Sequence, residues 1–238
     1  MPVYSIARIN YFVDPLYEDT RRRLLPYICD DEEYALDVSA STEEIREQLS
    51  LSPVPNAPWL TEGAIIYTKI CRDMLARHDG FFFHSSSLCI GGEGVLFTAK
   101  SGTGKSTHTR LWRERFGDRV RMINDDKPLI RLIDGTFCVC GTPWMGKSDI
   151  GQNLIVPVKA VVVLTRGVDN KAEAVRPALV FRELLEATLL PRERDNMEKL
   201  LELYDGLFRQ AKLIRLSCDI SQAAVDAAYR AIFEEDIS

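Results

Sequence analysis

The chain has 238 residues, 46% of them hydrophobic, which is enough to bury a substantial core in one large or two small domains. Its net charge of −5 argues against nucleic-acid binding, which needs a basic surface. No run approaches the roughly 18 apolar residues of a membrane span, and the N-terminus lacks a signal-peptide pattern. We therefore expect no nucleic-acid partner, no membrane association and a cytoplasmic location.

The six cysteines do not have the spacing of a metal site. No two of them are spaced as Cys-x-x-Cys, and no histidines cluster near them. Cys138 and Cys140 are close together, and on a strand they share one face. We interpret the cysteines as reduced and mostly buried thiols of a cytoplasmic protein, in preference to a metal site.

The first part of the chain predicts a small N-terminal subdomain, residues 1–58. The runs "VYSIARINYFV" and "EYALDV" each predict a strand. "STEE" predicts a capping box, in which Ser41 caps a helix and Glu44 reaches back, and Ile45 lies on the packed face of that helix. "SPVPNAP" cannot continue a helix because it has three prolines, so it predicts the connection to a main domain, residues 59–238.

The main domain begins with a predicted helix over residues 61–79, because its apolar residues recur at i, i+4 spacing. The strands "FFFH", "SSLCI" and "VLFTA" follow, with the turn "GGEG" between the last two. A second helix then ends at Gly117. "VRMINDD" predicts a strand that ends in carboxylates, and "LIRLIDGTFCVC" predicts a hairpin with an Asp-Gly turn.

The second half begins with "GTPWMGKSDIGQN", a polar segment that we call the 141–153 loop and predict to be a lid that orders on ligand binding. "AVVVLT" predicts a strand buried on both faces. "NKAE" resembles a guanine-reading motif but favours a surface turn. "KLIRLSC" predicts a last strand, and a helix from about Ile220 ends the chain. Two further helices are predicted by apolar stripes, namely Phe181, Leu185 and Leu189, then Met197, Leu200, Tyr204 and Leu207.

A glycine-rich segment, "AKSGTGKS" (residues 99–106, the glycine loop below), lies between a predicted strand and a predicted helix. Backbone N–H groups in such a loop, together with the positive end of the following helix, bind phosphate. Lys105 is placed to reach the β- and γ-phosphates, and the Ser106 hydroxyl to lie on magnesium. Ala99 stands where the usual pattern has glycine. The predicted nucleotide contacts here are Ser101, Gly102, Thr103, Gly104, Lys105, Ser106 and Thr107.

Two adjacent carboxylates, Asp125 and Asp126, follow the strand after the glycine-loop helix. In phosphate-loop enzymes an acidic residue at the end of a neighbouring strand helps to hold magnesium. We expect both side chains to approach the phosphates, one holding the metal and the other accepting a proton from an incoming hydroxyl. The alternative is a solvated turn before Pro128.

"SGTGKST" followed by a strand that ends in Asp-Asp resembles the superfamily of HPr kinase/phosphorylase and ATP-dependent phosphoenolpyruvate carboxykinase. The resemblance covers about residues 81–166, and the chain length is similar to that of small HPr-kinase-related bacterial proteins. His84, at the end of "FFFH", matches a histidine of the kinase site. The chain departs from the kinase pattern at Ser85 and Thr107, where those kinases usually have glycine and glutamate.

The resemblance implies an α/β fold with an HPr-kinase-like P-loop core, a mixed sheet and flanking helices, besides the small N-terminal α+β subdomain. It implies that Asp125 is the general base and that Asp126, with Ser106, holds the metal, although the order of the two aspartates stays open. His84 then orients Asp125 or touches the γ-phosphate; the alternative is a histidine of the core.

The same resemblance suggests that Lys147 and Arg166 neutralise phosphate charge; the alternative for each is a solvated surface charge. Trp144 stacks on adenine or packs in the core. The implied activity is transfer of the γ-phosphate of ATP, with Mg²⁺, to a hydroxyl, and the expected acceptor is a serine of a protein or peptide. A nucleotide-binding regulatory module without transfer and an ATPase are the alternatives, and a homo-oligomer stays open.

Overall fold

The computed structural model describes residues 2–235. Its strands are β1 (Val3–Ile6), β2 (Ile9–Phe12), β3 (Ile28–Cys29), β4 (Leu36–Asp37), β5 (Gly80–Phe82), β6 (Ser86–Ile90), β7 (Glu93–Thr98), β8 (Val120–Asn124), β9 (Leu129–Ile133), β10 (Thr136–Cys140), β11 (Ile155–Arg166), β12 (Lys171–Ala174) and β13 (Lys212–Cys218). Its α-helices are α1 (Glu18–Leu24), α2 (Thr42–Leu51), α3 (Pro58–Arg77), α4 (Lys105–Phe116), α5 (Phe181–Glu186), α6 (Arg194–Gln210) and α7 (Gln222–Phe233). The protein is therefore α/β, with mixed sheets and flanking helices.

The larger sheet has the strand order β5-β9-β10-β11-β7-β6-β8, and β13 pairs with β11 on one side and β12 on the other. Strand β11 lies in its middle and pairs in parallel with both β7 and β13. Residues 160–164 of β11 are all buried. This confirms the prediction that the continuous apolar run is covered on both faces.

Helices cover this sheet on its two faces. Trp112 of α4 and Tyr229 of α7 pack with Phe97 of β7 in one apolar cluster. Leu200 and Leu207 of α6 belong to a second cluster on the other side, and both are fully buried. The predicted apolar stripe of α6 is therefore confirmed. Strands β7 and β11 lie between the two apolar clusters.

The N-terminal residues form a four-stranded sheet of order β3-β1-β2-β4. Tyr11 and Leu24 of this region share one apolar cluster with Ile66 and Ile70 of α3. The N-terminal elements therefore pack directly on α3 and bring α1 towards the larger sheet. The division into two domains stays a prediction.

Two local predictions were wrong, and a third is confirmed only in part. The first apolar run is a hairpin, because Ala7 and Arg8 turn the chain in the left-handed region (φ 53° and 61°) between β1 and β2. "EYALDV" contributes only the two-residue strand β4. "NKAE" is largely the edge strand β12, which pairs antiparallel with β13, and is therefore not a simple surface turn.

The stripe predicted around α5 was also wrong. Phe181 and Leu189 are 40% and 42% exposed, whereas Val180, Leu184 and Ala187 are buried. The helix spans only residues 181–186, so an i, i+4, i+8 stripe has no continuous helix on which to lie. The buried face of this segment starts at Val180, one residue before the start of the predicted stripe.

The cysteine prediction is confirmed as far as burial is concerned. All six cysteines are free thiols; Cys29 and Cys218 are partly exposed and the others are buried. Within residues 2–235, no helix combines the length and the apolar character that crossing a membrane requires. The cytoplasmic location stays a prediction.

The predicted capping box is confirmed at the start of α2. The Ser41 hydroxyl accepts a hydrogen bond from the Glu44 N–H at 3.1 Å, and the Glu44 carboxylate accepts one from the Ser41 N–H at 2.8 Å. Glu44 is also paired with Lys69 of α3. The cap therefore fixes both the start of α2 and its contact with α3.

Ser41→Ala should lower the free energy of unfolding by about 1 kcal/mol, since it leaves the Glu44 N–H without its cap. Ser50→Ala is the matched control, because Ser50 lies in the last turn of the same helix and its exposed hydroxyl caps nothing at the N-terminus. We expect that control to change stability by less than about 0.5 kcal/mol. Urea denaturation measures both, and equal losses would contradict the capping role.

Candidate active site

The ends of two strands bring the glycine loop and the two aspartates together. Strands β7 and β8 both pair antiparallel with β6, so they run in the same direction and end at the same edge of the sheet. The glycine loop follows β7, while Asp125 and Asp126, the acid pair below, follow β8. His84 reaches the same edge because it lies in the short connection between β5 and β6.

The glycine loop has the backbone conformation of a tight turn into a helix. Gly102 and Gly104 have φ of +77° and +118°, which only glycine adopts without strain. The Thr103 N–H donates to the Lys100 carbonyl at 3.1 Å and closes the turn. Helix α4 begins at Lys105, directly after Gly104, and no side chain caps the start of the helix. Its first N–H groups are therefore available to an anion.

Lys105 is only 9% exposed, and its Nζ donates to the Ala99 carbonyl at 3.2 Å. Burial lowers the pKa of Lys105, while the charges of Asp126 and Asp125 act in the opposite sense. Ala99 does not have a positive φ, so alanine is tolerated where the usual pattern has glycine. The buried ammonium group of Lys105 and the uncapped N–H groups at the start of α4 together favour an anionic ligand.

Asp125 accepts two short hydrogen bonds from serine hydroxyls. Ser86 Oγ donates to Oδ1 at 2.5 Å and Ser148 Oγ donates to Oδ2 at 2.5 Å. Ser86 is fully buried and also contacts Thr109 Oγ1 on α4 at 2.8 Å. Ser148 is exposed and belongs to the 141–153 loop. One oxygen of Asp125 is thus fixed inside the protein, and the other faces the cavity side.

Asp126 is paired with His84, whose Nε2 lies 3.1 Å from Oδ1. Burial by itself raises the pKa of Asp126, but the hydrogen bond from His84 and the charges of Lys127 and Lys105 outweigh it and lower the pKa. Asp126 is therefore ionised at neutral pH. The expected contact of His84 with Asp125 is therefore replaced by one with Asp126, and its contact with the γ-phosphate stays a prediction.

Asn124 fixes the turn that carries the acid pair. Its fully buried amide accepts hydrogen bonds from the N–H groups of Asp126 and Lys127 at 2.9 and 2.7 Å. The same amide donates to the carbonyl and hydroxyl of Thr142, both at 3.0 Å. A single side chain therefore joins the acid pair to the start of the 141–153 loop. Sequence reasoning missed it because the predicted strand continues through Asn124 to the carboxylates, whereas β8 ends at Asn124.

Most of the predicted site residues line one cavity of about 1070 Å³. This volume is at the upper end of the range for small-molecule sites and leaves room for more than one ligand. The predicted residues in its wall are His84, Ser101, Gly102, Gly104, Lys105, Ser106, Thr107, Asp125, Asp126 and Lys147.

Two predicted residues, Thr103 and Arg166, lie outside that wall. They border a second cavity of about 600 Å³ on the other side of the glycine loop. Arg166 Nη2 donates to the Gly102 carbonyl at 2.7 Å, so it braces the loop from outside. Gly102, Gly104 and Thr107 line both cavities.

A further part of the cavity wall comes from residues that the sequence did not single out. Leu24 of α1 and Trp59 and Leu60 of α3 line the cavity there. Arg23 stacks over Trp59 at 5.3 Å from the ring centre and pairs with Asp149 of the 141–153 loop at 2.5 Å. The sequence shows Arg23 only as part of "RRR", and three consecutive arginines are equally typical of a basic helix face exposed to solvent.

Trp144 has a structural contact that favours the packing alternative over adenine stacking. Its ring lies 4.8 Å from the ring of Tyr67 on α3. A Cβ placed on Gly63 would meet Trp144 Nε1 at 3.0 Å, so α3 approaches the indole closely at that point. Trp144 is nevertheless part of the cavity wall. It therefore attaches the 141–153 loop to α3.

The oxygen atoms at this site suit magnesium. Carboxylate and hydroxyl oxygens are the ligands that Mg²⁺ prefers, and Asp126 and Ser106 offer one of each in the same cavity. Within residues 2–235, no group of three or more His, Cys, Asp or Glu side chains forms a metal cage. Mg²⁺ is usually held by one or two carboxylates together with substrate phosphates, so the residues fit it. Magnesium stays a prediction.

Comparison with known proteins gives little further information. No family profile matches the chain, and no curated protein matches it. The solved structures that match include the HPr(Ser) kinase/phosphatase from Coxiella burnetii, at 14% identity and a TM-score of 0.27 over 54% of this chain and 88% of that chain. A likeness this weak carries no argument about fold or activity. Membership of the superfamily stays a prediction.

Gly146 provides a test of the acid pair's geometry. It has φ of +67°, and a Cβ there would lie 2.8 Å from the Cβ of Asp126. Gly146→Ala should therefore push Asp126 away from His84 and change the imidazole nitrogen chemical shifts of His84 in NMR spectra. Gly91→Ala is the matched control, because Gly91 has φ of +61° but open space around it.

Both alanine variants carry the same strain of a positive φ, about 1–2 kcal/mol. Only Gly146→Ala should alter the signals of His84. Unchanged His84 signals in a folded Gly146→Ala protein would show that Asp126 is not held against the 141–153 loop as described.

Proposed function

We propose that this protein is an ATP- and magnesium-dependent phosphotransferase that moves the γ-phosphate to a hydroxyl, with a serine of a protein or peptide as the acceptor. One observation carries the proposal: Lys105, the uncapped start of α4 and the acid pair all face a single cavity. This arrangement combines a cradle for phosphate with carboxylates suited to a metal ion and to proton removal.

The glycine loop is the expected binding site of the inner phosphates. Its backbone N–H groups and the positive end of α4 favour negative charge. Lys105 supplies a buried ammonium group that gains a partner when the β- and γ-phosphates arrive. Arg166 contributes from outside by holding the Gly102 carbonyl, and thereby the curvature of the loop.

Asp126 and Ser106 are the proposed holders of magnesium. When bound, the metal neutralises phosphate charge and polarises the γ-phosphoryl group. A metal ligand must be deprotonated, and the contacts with His84, Lys127 and Lys105 keep Asp126 in that state. This supports assigning the metal to Asp126 and leaves His84 as the residue that orients its carboxylate.

Asp125 is the proposed general base. Its Oδ1 is fixed by the buried Ser86, so its Oδ2 is directed at whatever hydroxyl enters the cavity. In the structure that position is taken by the hydroxyl of Ser148. A carboxylate that is held at one oxygen and meets a hydroxyl at the other is positioned to accept a proton.

The apolar part of the cavity wall favours an organic acceptor over water. Trp59 and Leu60 present apolar surface to the cavity, and Met145 adds to it from the 141–153 loop. An ATPase that uses water as its acceptor needs no such surface. The positioned base likewise favours transfer over a module that only binds nucleotide.

The discriminating experiment is incubation with ATP labelled at the γ-phosphate and a panel of serine-containing peptides. Label on a peptide supports the kinase. Label that appears only as free phosphate supports the ATPase. Tight binding of the nucleotide without release or transfer supports the regulatory module.

Lys105→Ala should weaken binding of Mg-ATP about ten- to a hundredfold, the effect of losing a charge-assisted hydrogen bond of roughly 1.5–3 kcal/mol. Lys100→Ala is the control, because Lys100 is an exposed lysine of the same loop that does not line the cavity. Isothermal titration calorimetry gives both affinities. Equal affinities for wild type and Lys105→Ala would remove the phosphate cradle from the proposal.

Asp125→Asn and Asp126→Asn should separate the two carboxylate roles. Replacing the base should leave Mg-ATP binding nearly normal and slow transfer about a hundredfold or more. Replacing the metal ligand should weaken magnesium-dependent binding and transfer together. Calorimetry with and without Mg²⁺, beside a transfer assay, measures both effects. Exchanged phenotypes would reverse the assignment, and two fully active variants would reject the site.

A further inference from the structure

We infer that Ser148 of the 141–153 loop is itself a phosphoryl acceptor, so that the protein phosphorylates its own Ser148 when a nucleoside triphosphate is bound. The inference rests on the proposed function and adds a modification site within the same chain. The evidence for it is the position of the Ser148 hydroxyl, which lies on Asp125 where the hydroxyl of an external acceptor would have to bind.

The first observation is the contact between Ser148 and the proposed base. Ser148 Oγ donates to Asp125 Oδ2 at 2.5 Å. This is the carboxylate oxygen that Ser86 does not use. Ser148 also lines the same cavity as Lys105 and Ser106, where the γ-phosphate is expected. The hydroxyl, the base and the phosphate cradle therefore already line one cavity.

The second observation is the way the backbone presents this serine. The chain turns in the left-handed region at Gly146 and again at Asp149, with φ of +67° and +52°. Asp149 is anchored to Arg23 of α1, and the Ser148 hydroxyl has a further contact with the Met145 carbonyl at 3.2 Å. These restraints direct the side chain of Ser148 inward although the residue is exposed.

The other serine on the base lacks this freedom. Ser86 lies inside strand β6, is completely buried and is shared between Asp125 and Thr109 of α4. Moving it towards a phosphate would break the sheet and leave buried polar groups without partners. Ser148 is exposed and lies outside every helix and strand of the described residues, so its hydroxyl can move towards a phosphate without breaking the sheet.

The transfer step balances without a further reactant. Ser148 Oγ forms a bond to the γ-phosphorus as the bond between that phosphorus and the β,γ-bridging oxygen breaks. The hydroxyl proton passes to Asp125, and the nucleoside diphosphate leaves. The product is phosphoserine, with a charge of about −1.5 to −2 at neutral pH. Ser148 has a single hydroxyl, so the reaction stops at one phosphate, and repulsion between that phosphate and the acid pair favours movement of residue 148 away from Asp125.

The test uses the full chain, treated with a phosphatase, repurified and incubated with Mg-ATP in the absence of any acceptor. Intact-protein mass spectrometry followed by peptide mapping should find one phosphate per chain, on Ser148. The rate constant should not change with protein concentration, because the hydroxyl and the cradle belong to the same molecule. Ser148→Ala should abolish the modification, whereas Ser50→Ala, which removes an exposed serine of α2, should not.

Other outcomes are decisive as well. Phosphate on a different residue, or a rate that rises in proportion to protein concentration, would overturn the inference. Transfer to an added serine peptide with Ser148 left unmodified would also overturn it while leaving the proposed function intact. If the wild type binds Mg-ATP yet modifies neither a peptide nor itself, the proposed function and the inference fail together.

Discussion

The direction of three neighbouring strands determines where the phosphate-binding and acidic groups of the site lie. Strand β6 is antiparallel to both β7 and β8, so the glycine loop and the acid pair emerge at the same edge of the sheet. With β8 reversed, the acid pair would lie at the opposite edge, about 16 Å away for five residues at roughly 3.3 Å each. The helices that pack on both faces of the sheet stabilise these three strands in their relative positions.

The site has two walls of different chemistry that come from distant parts of the chain. The phosphate side is built from strand ends of the larger sheet, where backbone amides and buried hydrogen bonds fix each group. The other wall comes from α1 and the start of α3, which are held in place by the apolar cluster around Tyr11, Leu24 and Ile66. The N-terminal elements thus contribute directly to the cavity, through Arg23 and Leu24 of α1.

Much of this site could be predicted from local sequence, because its main signals are local. The glycine loop needs glycine at Gly102 and Gly104 for reasons of backbone geometry, and the apolar run before the acid pair indicates a strand end. Partners across the fold could not be predicted in the same way. The contacts of Asp125 with Ser86 and Ser148 join residues 39 and 23 positions apart, and no local pattern encodes them. Similarly, nothing in the side chain of Arg8 signals its positive φ.

The 141–153 loop is joined to the sheet at a single place. Its two ends lie against each other: a Cβ on Gly141 would meet the Gln152 carbonyl oxygen at 1.9 Å, and the Gly141 N–H donates to the Leu154 carbonyl at 2.9 Å. The segment between them therefore leaves and re-enters the sheet at one place. Its position at the cavity depends on side-chain contacts such as those of Asn124 with Thr142 and of Arg23 with Asp149.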